Sequence, residues 1–191
     1  MAIQAVIFDC FGVLTTDGWK QIRTDVLKTD DERQEADDLD RMVNSGLMGY
    51  DEFVERVAKL IDQPITETRA RLVDTAANER LFTYIRDTIK PHYKLGLLSN
   101  AADNWLDNLF APWQVELFDT VVLSCEVGMV KPDPRIYDLT AMKLGYLPEE
   151  CLFVDDIERF VTAAIDVGMH GVVFTDTDTF TREFEENWRA H

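Results

Sequence analysis

Asp9 ends the apolar run of "AVIFD". Residues of complementary chemistry recur at three later points: Ser99 and Asn100 in "LLSN", Lys131 in "VKPDP", and Asp155 with Asp156 in "FVDD". Brought together, three carboxylates repel one another unless a cation neutralises them. Mg²⁺ suits such a set, because it takes oxygen ligands, keeps waters and pairs readily with phosphate. Lys131 adds a further positive charge able to hold a transferring phosphoryl group. Ser99 can donate its hydroxyl to a phosphate oxygen, and the Asn100 amide can orient either the substrate or Asp9. An aspartate in this company can attack phosphorus and form an acyl phosphate that water then hydrolyses. Each residue alone also has a plain reading: a helix cap for Asp9 or for "DD", a turn for "SN", a rigid loop before a helix for "KPDP". Their recurrence in this order, each at or just beyond a predicted strand end, favours the shared chemistry.

The elements that would position these residues follow from the apolar pattern. Short runs rich in Val, Ile, Leu and Phe at 3–8, 95–98, 120–123, 152–154 and 171–174 are predicted strands. Helical patterns follow at 103–110, 134–144, 157–167 and 179–188, with Pro134 in the opening turn of the second. Alternating strands and helices predict an α/β fold with a parallel sheet covered on both faces. In such sheets ligands collect at the carboxyl ends of strands, near the point where strand order reverses.

The interval 16–78 is different, because it contains no predicted strand. Met42, Val43 and Leu47 end one helical pattern, and Phe53, Val54, Val57, Leu60 and Ile61 form the stripe of a second. Pro64 opens a third segment, "ITETRARLVDTA". A helical insertion of roughly sixty residues thus separates the first strand from the rest. Its acidic stretch, 30–40, reads as a solvated helix face.

Composition narrows the function classes. Hydrophobic residues at 46% exclude general disorder, while 36 acidic against 19 basic residues give a net charge of -17. That charge weighs against nucleic-acid or anionic-membrane partners, and an anionic substrate would need a local positive site. Cys10, Cys125 and Cys151 are odd in number and form no CxxC pair, which argues against a disulfide framework or a zinc site. The start "MAIQAVIFD" lacks a signal-peptide pattern, and no apolar run is long enough to span a bilayer. A soluble, cytoplasmic protein is expected, with no nucleic-acid or membrane partner; its oligomeric state is not encoded legibly. Trp19, Trp105, Trp113 and Trp188 read as packing residues, with Trp19 also placed to line a substrate entrance. His92, His170 and His191 read as surface or loop residues. Cys10 alternates away from Asp9 toward helix packing.

Four segments, "VIFDCFGVL", "LGLLSN", "GMVKPDPRIY" and "CLFVDDIERFVTAAIDVGMHG", together resemble the signatures of the haloacid dehalogenase (HAD) superfamily over nearly the whole chain. The resemblance implies a Rossmann-like, doubly wound core from 1–15 and 79–191, with a small helical cap of subfamily I type at 16–78. It implies Asp9 as nucleophile and metal ligand, Ser99 as the phosphoryl-binding hydroxyl and Lys131 as the charge-stabilising lysine. Asp156 would bind Mg²⁺ directly, Asp155 directly or through water, and Phe11 through its main-chain carbonyl. A small phosphorylated metabolite is the implied substrate.

The Phe11 side chain departs from the pattern of most phosphatases in this superfamily, which carry there an aspartate that protonates the leaving group. Such assistance is typically worth ~10²- to 10⁴-fold. Three readings follow. The chain is a phosphatase without that acid, as some relatives resembling it are, with water, Asp17 or a cap residue in its place. It is a dehalogenase, a branch that resembles this chain in its aromatic residue but generally works without Mg²⁺ and without the paired acids. Or it is a phosphate-binding regulatory protein with little turnover. Asp155 and Asp156 favour the first, since without a cation they would raise the Asp9 pKa and repel a haloacid anion.

Overall fold

The computed structural model describes residues 2–103 and 106–189, with only the backbone of residue 107; Trp105 and His191 lie outside the described residues. Five parallel strands form one sheet in the order β3-β2-β1-β4-β5: β1 (Ala5–Phe8), β2 (Lys94–Ser99), β3 (Thr120–Leu123), β4 (Cys151–Asp155) and β5 (His170–Val173). All five predicted strands are present, with ends shifted by two residues at most. His170 begins β5 rather than flanking it, and packs against Trp188 at 4.7 Å between ring centroids, the rings tilted by 55°.

Alternation along the strands builds two apolar layers. Val6 and Phe8 face one side with Leu97 and Val154, covered by Leu81, Phe82, Phe180 and Phe184. Ala5 and Ile7 face the other with Leu98 and Phe153, covered by Ile136, Tyr137, Ala141 and Phe160. The covering helices are α5 (Glu79–Tyr84) and α11 (Thr177–Asn187) on the first face, and α9 (Pro134–Leu144) and α10 (Glu158–Asp166) on the second. Both faces are therefore buried, as a parallel sheet requires. Cys10 is buried in the first layer beside Phe8, turned away from Asp9.

Between β1 and α5 lie four further helices: α1 (Gly18–Asp25), α2 (Asp30–Asn44), α3 (Tyr50–Leu60) and α4 (Ile65–Leu72). They enclose a third apolar cluster that includes Ile22, Leu39, Val43, Phe53, Val54, Val57 and Ile61. Thr29 and Glu32 form a capping box that starts α2. The expected continuation of this helix to Leu47 fails: α2 stops at Asn44, Gly46 turns left-handed at φ +74°, and Leu47 is 78% exposed. Of the expected helix at 103–110, residues 104 and 105 lie outside the described residues and Leu106–Leu109 form α6; Pro112 then opens α7 (Pro112–Val115), and α8 (Ser124–Val127) follows β3.

Two passes of chain join the helical layer to the sheet, and they are bonded to each other. The Thr16 N–H donates to the Ala76 carbonyl at 3.1 Å, and the Ala76 N–H donates to Thr16 Oγ1 at 2.8 Å. The helical layer is thereby anchored beside the end of β1, over the carboxyl edge of the sheet.

Candidate active site

Strand order reverses between β1 and β4, so Asp9 and Asp155 leave neighbouring strand ends at the switch point. The Asp9 N–H donates to the Val154 carbonyl at 2.9 Å, extending the ladder and fixing where its side chain starts. Asp9, Asp155 and Lys131 are all buried. Lys131 Nζ donates to Asp9 Oδ1 at 2.5 Å and to Asp155 Oδ2 at 2.6 Å. The rings of Phe153 and Phe160 lie 5.4 and 5.0 Å from the same ammonium and favour its charge.

Burial alone would lower the Lys131 pKa, but Asp155 and Asp9 override it and hold the ammonium above the usual lysine range. Lys131 is a fixed cation. Burial pushes the Asp9 carboxyl well above the usual carboxylate range; Lys131 opposes the rise, while Asp155 and Asp156 add to it. One buried ammonium therefore does not balance the cluster.

Asp155 has its second oxygen occupied by the Ile157 N–H at 2.8 Å. Asp156 accepts the Lys20 ammonium on Oδ2, while its Oδ1 is buried with no hydrogen-bond partner among the described residues. Asp9, Asp155 and Asp156 each present an oxygen, and these atoms lie within 4.8 Å of one another. Gly12 makes room for them: its φ is +89°, and a Cβ there would stand 2.4 Å from Asp156 Oδ2. A donorless buried carboxylate oxygen among two further carboxylates fits a hard divalent cation. These three residues could hold one.

Asn100 does something the sequence did not suggest. Its Nδ2 donates to the Lys131 carbonyl at 3.1 Å and its Oδ1 accepts the Lys131 N–H at 2.8 Å, so its amide clamps the loop that carries the lysine. Ser99 is buried, with its Oγ 3.4 Å from the Asn100 carbonyl. Phe11 is half-buried, packs against the core and lines the space above Asp9. Asp17 is the N-cap of α1, accepting the Lys20 N–H at 3.0 Å, and burial raises its carboxyl.

A cavity of about 1090 Å³ separates the sheet edge from the helical layer, with Asp9, Phe11, Asn100 and Lys131 on its floor. Trp19 and Lys20 of α1 and Arg33 and Asp40 of α2 also line it. Asp40 corrects the reading of 30–40 as a wholly solvated face: burial raises its carboxyl, and Ala36 and Leu39 within the same stretch are buried. Pattern reasoning missed Lys20, Asp40 and Arg159 as site residues. Helical spacing was the available signal, since Lys20 follows Asp17 by three residues and shares its face.

Three comparisons bear on this geometry. The model of the haloacid dehalogenase-like hydrolases matches residues 3–168. "Phosphatase MT3486" of Mycobacterium tuberculosis is 30% identical over 196 residues, covering 88% of this chain and 86% of that one. "Bifunctional epoxide hydrolase 2" of Sus scrofa is 40% identical over 92 residues, which are 44% of this chain and only 17% of that protein. A HAD family enzyme from Bacteroides thetaiotaomicron, solved with magnesium and inorganic phosphate, has the same fold: TM-score 0.66 at 22% identity, covering 94% of this chain and 99% of that one. No helix among the described residues is long and apolar enough to cross a membrane. With the match spanning every strand end that carries the carboxylates and Lys131, the chain belongs to the haloacid dehalogenase-like hydrolases.

Proposed function

We propose that the chain is a Mg²⁺-dependent phosphomonoesterase acting on a phosphorylated small molecule through an aspartyl phosphate on Asp9. The observation that carries this reading is the donorless oxygen of Asp156 beside Asp9 and Asp155. Bound there, with the Phe11 main-chain carbonyl as a further ligand, Mg²⁺ would neutralise the carboxylates and the phosphoryl oxygens. Asp9 attacks phosphorus with the oxygen that Lys131 does not hold, and the bond to the leaving group breaks as that group departs with its electron pair. Lys131 and the Ser99 hydroxyl stabilise the phosphoryl oxygens. Asn100 keeps the Lys131 loop in place. Water then attacks phosphorus, freeing inorganic phosphate and the Asp9 carboxylate. Residues 16–78 act as a cap over a core made of 1–15 and 79–191.

Dehalogenation fits less well, because without a metal ion three carboxylates against two lysines, one of them largely exposed, repel a haloacid anion. The test is phosphate release from a panel of phosphomonoesters with Mg²⁺ or EDTA, with Asp9→Asn as control. Mg²⁺-dependent release is expected, falling about 10³-fold or more in the variant. Release that survives Asp9→Asn would overturn the assignment of the nucleophile.

A further inference from the structure

The cavity above Asp9, at about 1090 Å³, is larger than a phosphoryl group needs and lies slightly above the ~300–1,000 Å³ range usual for ligand sites. Much of its wall is aromatic: Phe11, Trp19, Tyr50, Phe53 and Phe160. Trp19 and Phe53 meet edge to face at 5.3 Å between centroids, and Tyr50 stacks on Phe53 at 6.2 Å. The lining also holds five cations against four carboxylates, in a chain whose net charge is -17.

Four of those cations are already paired. Lys131 bridges Asp9 and Asp155, Lys20 holds Asp156, Arg23 holds Asp37 and Arg33 holds Asp30. Arg159 has no carboxylate within ion-pair distance among the described residues. It stands in the first turn of α10, three residues beyond Asp156, with its guanidinium 4.9 Å from the centroid of the Phe160 ring. A planar cation laid on an aromatic wall and facing a cavity, with only a longer-range attraction to Asp40 rather than an ion pair, is suited to a carboxylate-like partner.

The leaving group is constrained from the other end. Phe11 has no proton to give, and Asp17 accepts the Lys20 N–H as the cap of α1. A phenolate leaves without a proton far more readily than an alkoxide, since a phenol has an ordinary pKa of about 10. We propose that the substrate is an aryl phosphomonoester whose ring carries a second anionic group: the phosphoryl group at Asp9, the ring within the aromatic walls, the anion on Arg159. The proposal rests on the phosphomonoesterase reading above. The phosphorus–oxygen bond breaks with its electron pair left on the phenolate oxygen, which takes its proton from water afterwards.

The test compares phenyl phosphate, 4-carboxyphenyl phosphate and benzyl phosphate on the full chain with Mg²⁺. A kcat/KM about tenfold or more higher for the carboxylated ester than for phenyl phosphate is expected, with benzyl phosphate slowest. Arg159→Ala should bring the carboxylate preference to about one, and Arg159→Lys should keep part of it. In parallel, calorimetry with 4-carboxybenzylphosphonate and benzylphosphonate reads the same preference as a ratio of Kd, with no turnover needed. Equal constants for the carboxylated and plain ligands, a preference that survives Arg159→Ala, or faster benzyl turnover would overturn the proposal. A failed nucleophile assignment would instead appear as Asp9-independent release, or as none, while the binding ratio still decided the question of Arg159. Should Arg159→Ala not fold, the wild-type ratios alone decide it.

Discussion

Two lysines reach the same carboxylate cluster from opposite sides, and they are held in different ways. The Lys131 side chain is 1% exposed, bonds two carboxylates and has its backbone clamped by Asn100. The Lys20 side chain is 59% exposed, bonds one carboxylate and rides on α1 of the helical layer. A buried charge with every partner fixed cannot be withdrawn without leaving acids stranded in low dielectric, whereas an exposed one can swing into water at little cost. The sheet edge thus carries charge as a permanent part of the fold, and the helical layer carries charge that can be exchanged for a ligand's.

Removing the fixed member should give the largest effect on stability. Lys131→Met leaves Asp9 and Asp155 buried without their common partner, and a loss of about 3–5 kcal/mol is expected by urea unfolding in EDTA. Adding Asp9→Asn should recover part of that loss by deleting one of the stranded charges. A loss under about 1 kcal/mol would mean that the two carboxylates rearrange toward water, and the contrast between the lysines would collapse.

A smaller effect follows from the surplus of negative charge at the sheet edge. The folded pKa of Asp9 is raised by burial, so between its unfolded and folded values the native state binds more protons than the unfolded state. Stability therefore falls as pH rises through that window, by up to about 1.4 kcal/mol per pH unit, and the penalty is complete above the folded pKa. Comparing EDTA-treated wild type with Asp9→Asn isolates this slope from surface acids such as Asp119, whose pKa of about 2 gives the opposite sign. The slope is expected to be steeper in wild type than in the variant, where the buried Asp17 and Asp40 still contribute in the same direction. Saturating Mg²⁺ should flatten it, because the cation binds the folded, ionised cluster. Equal slopes in the two proteins would show that Asp9 ionises in the fold as easily as in the unfolded chain.

The same division explains what could be read from sequence. Strands buried on both faces appear as continuous runs such as "AVIF" and "CLFV", and polar residues placed directly after them can project only from the sheet edge, so Asp9, Ser99 and Asp155 were legible. The role of Asn100 was not, because whether an amide faces a substrate or a neighbouring loop depends on where residue 131 returns. Leu47 misled because an apolar residue in register with Val43 looks like the next turn, and only the left-handed Gly46 shows that the helix has ended. Asp40 was invisible as a site residue and Lys20 only hinted at by its spacing from Asp17, since their relation to Asp9 is set by how the helical layer sits over the sheet; Arg159, in the first turn of α10, reads in sequence as one more polar residue of a covering helix. Periodicity reports which face of a helix is apolar; it does not report which polar side chain overhangs a site on another element.

The smallest expected effect is also the one that distinguishes the two lysines most directly. Lys20→Ala removes an ion pair that is largely open to solvent on the lysine side, so stability in EDTA should change by no more than about 1 kcal/mol. The ammonium nevertheless holds Asp156 on Oδ2, beside the Oδ1 that a divalent cation at this cluster would draw on. Its removal should therefore tighten Mg²⁺ binding by about two- to fivefold, as withdrawing a weak competitor would. Titrating the Mg²⁺-dependent rise in melting temperature measures this without turnover. Weaker Mg²⁺ binding in the variant would mean that Lys20 supports the cluster as Lys131 does. Charge on the helical layer would then belong to the fold rather than to the exchange with ligand.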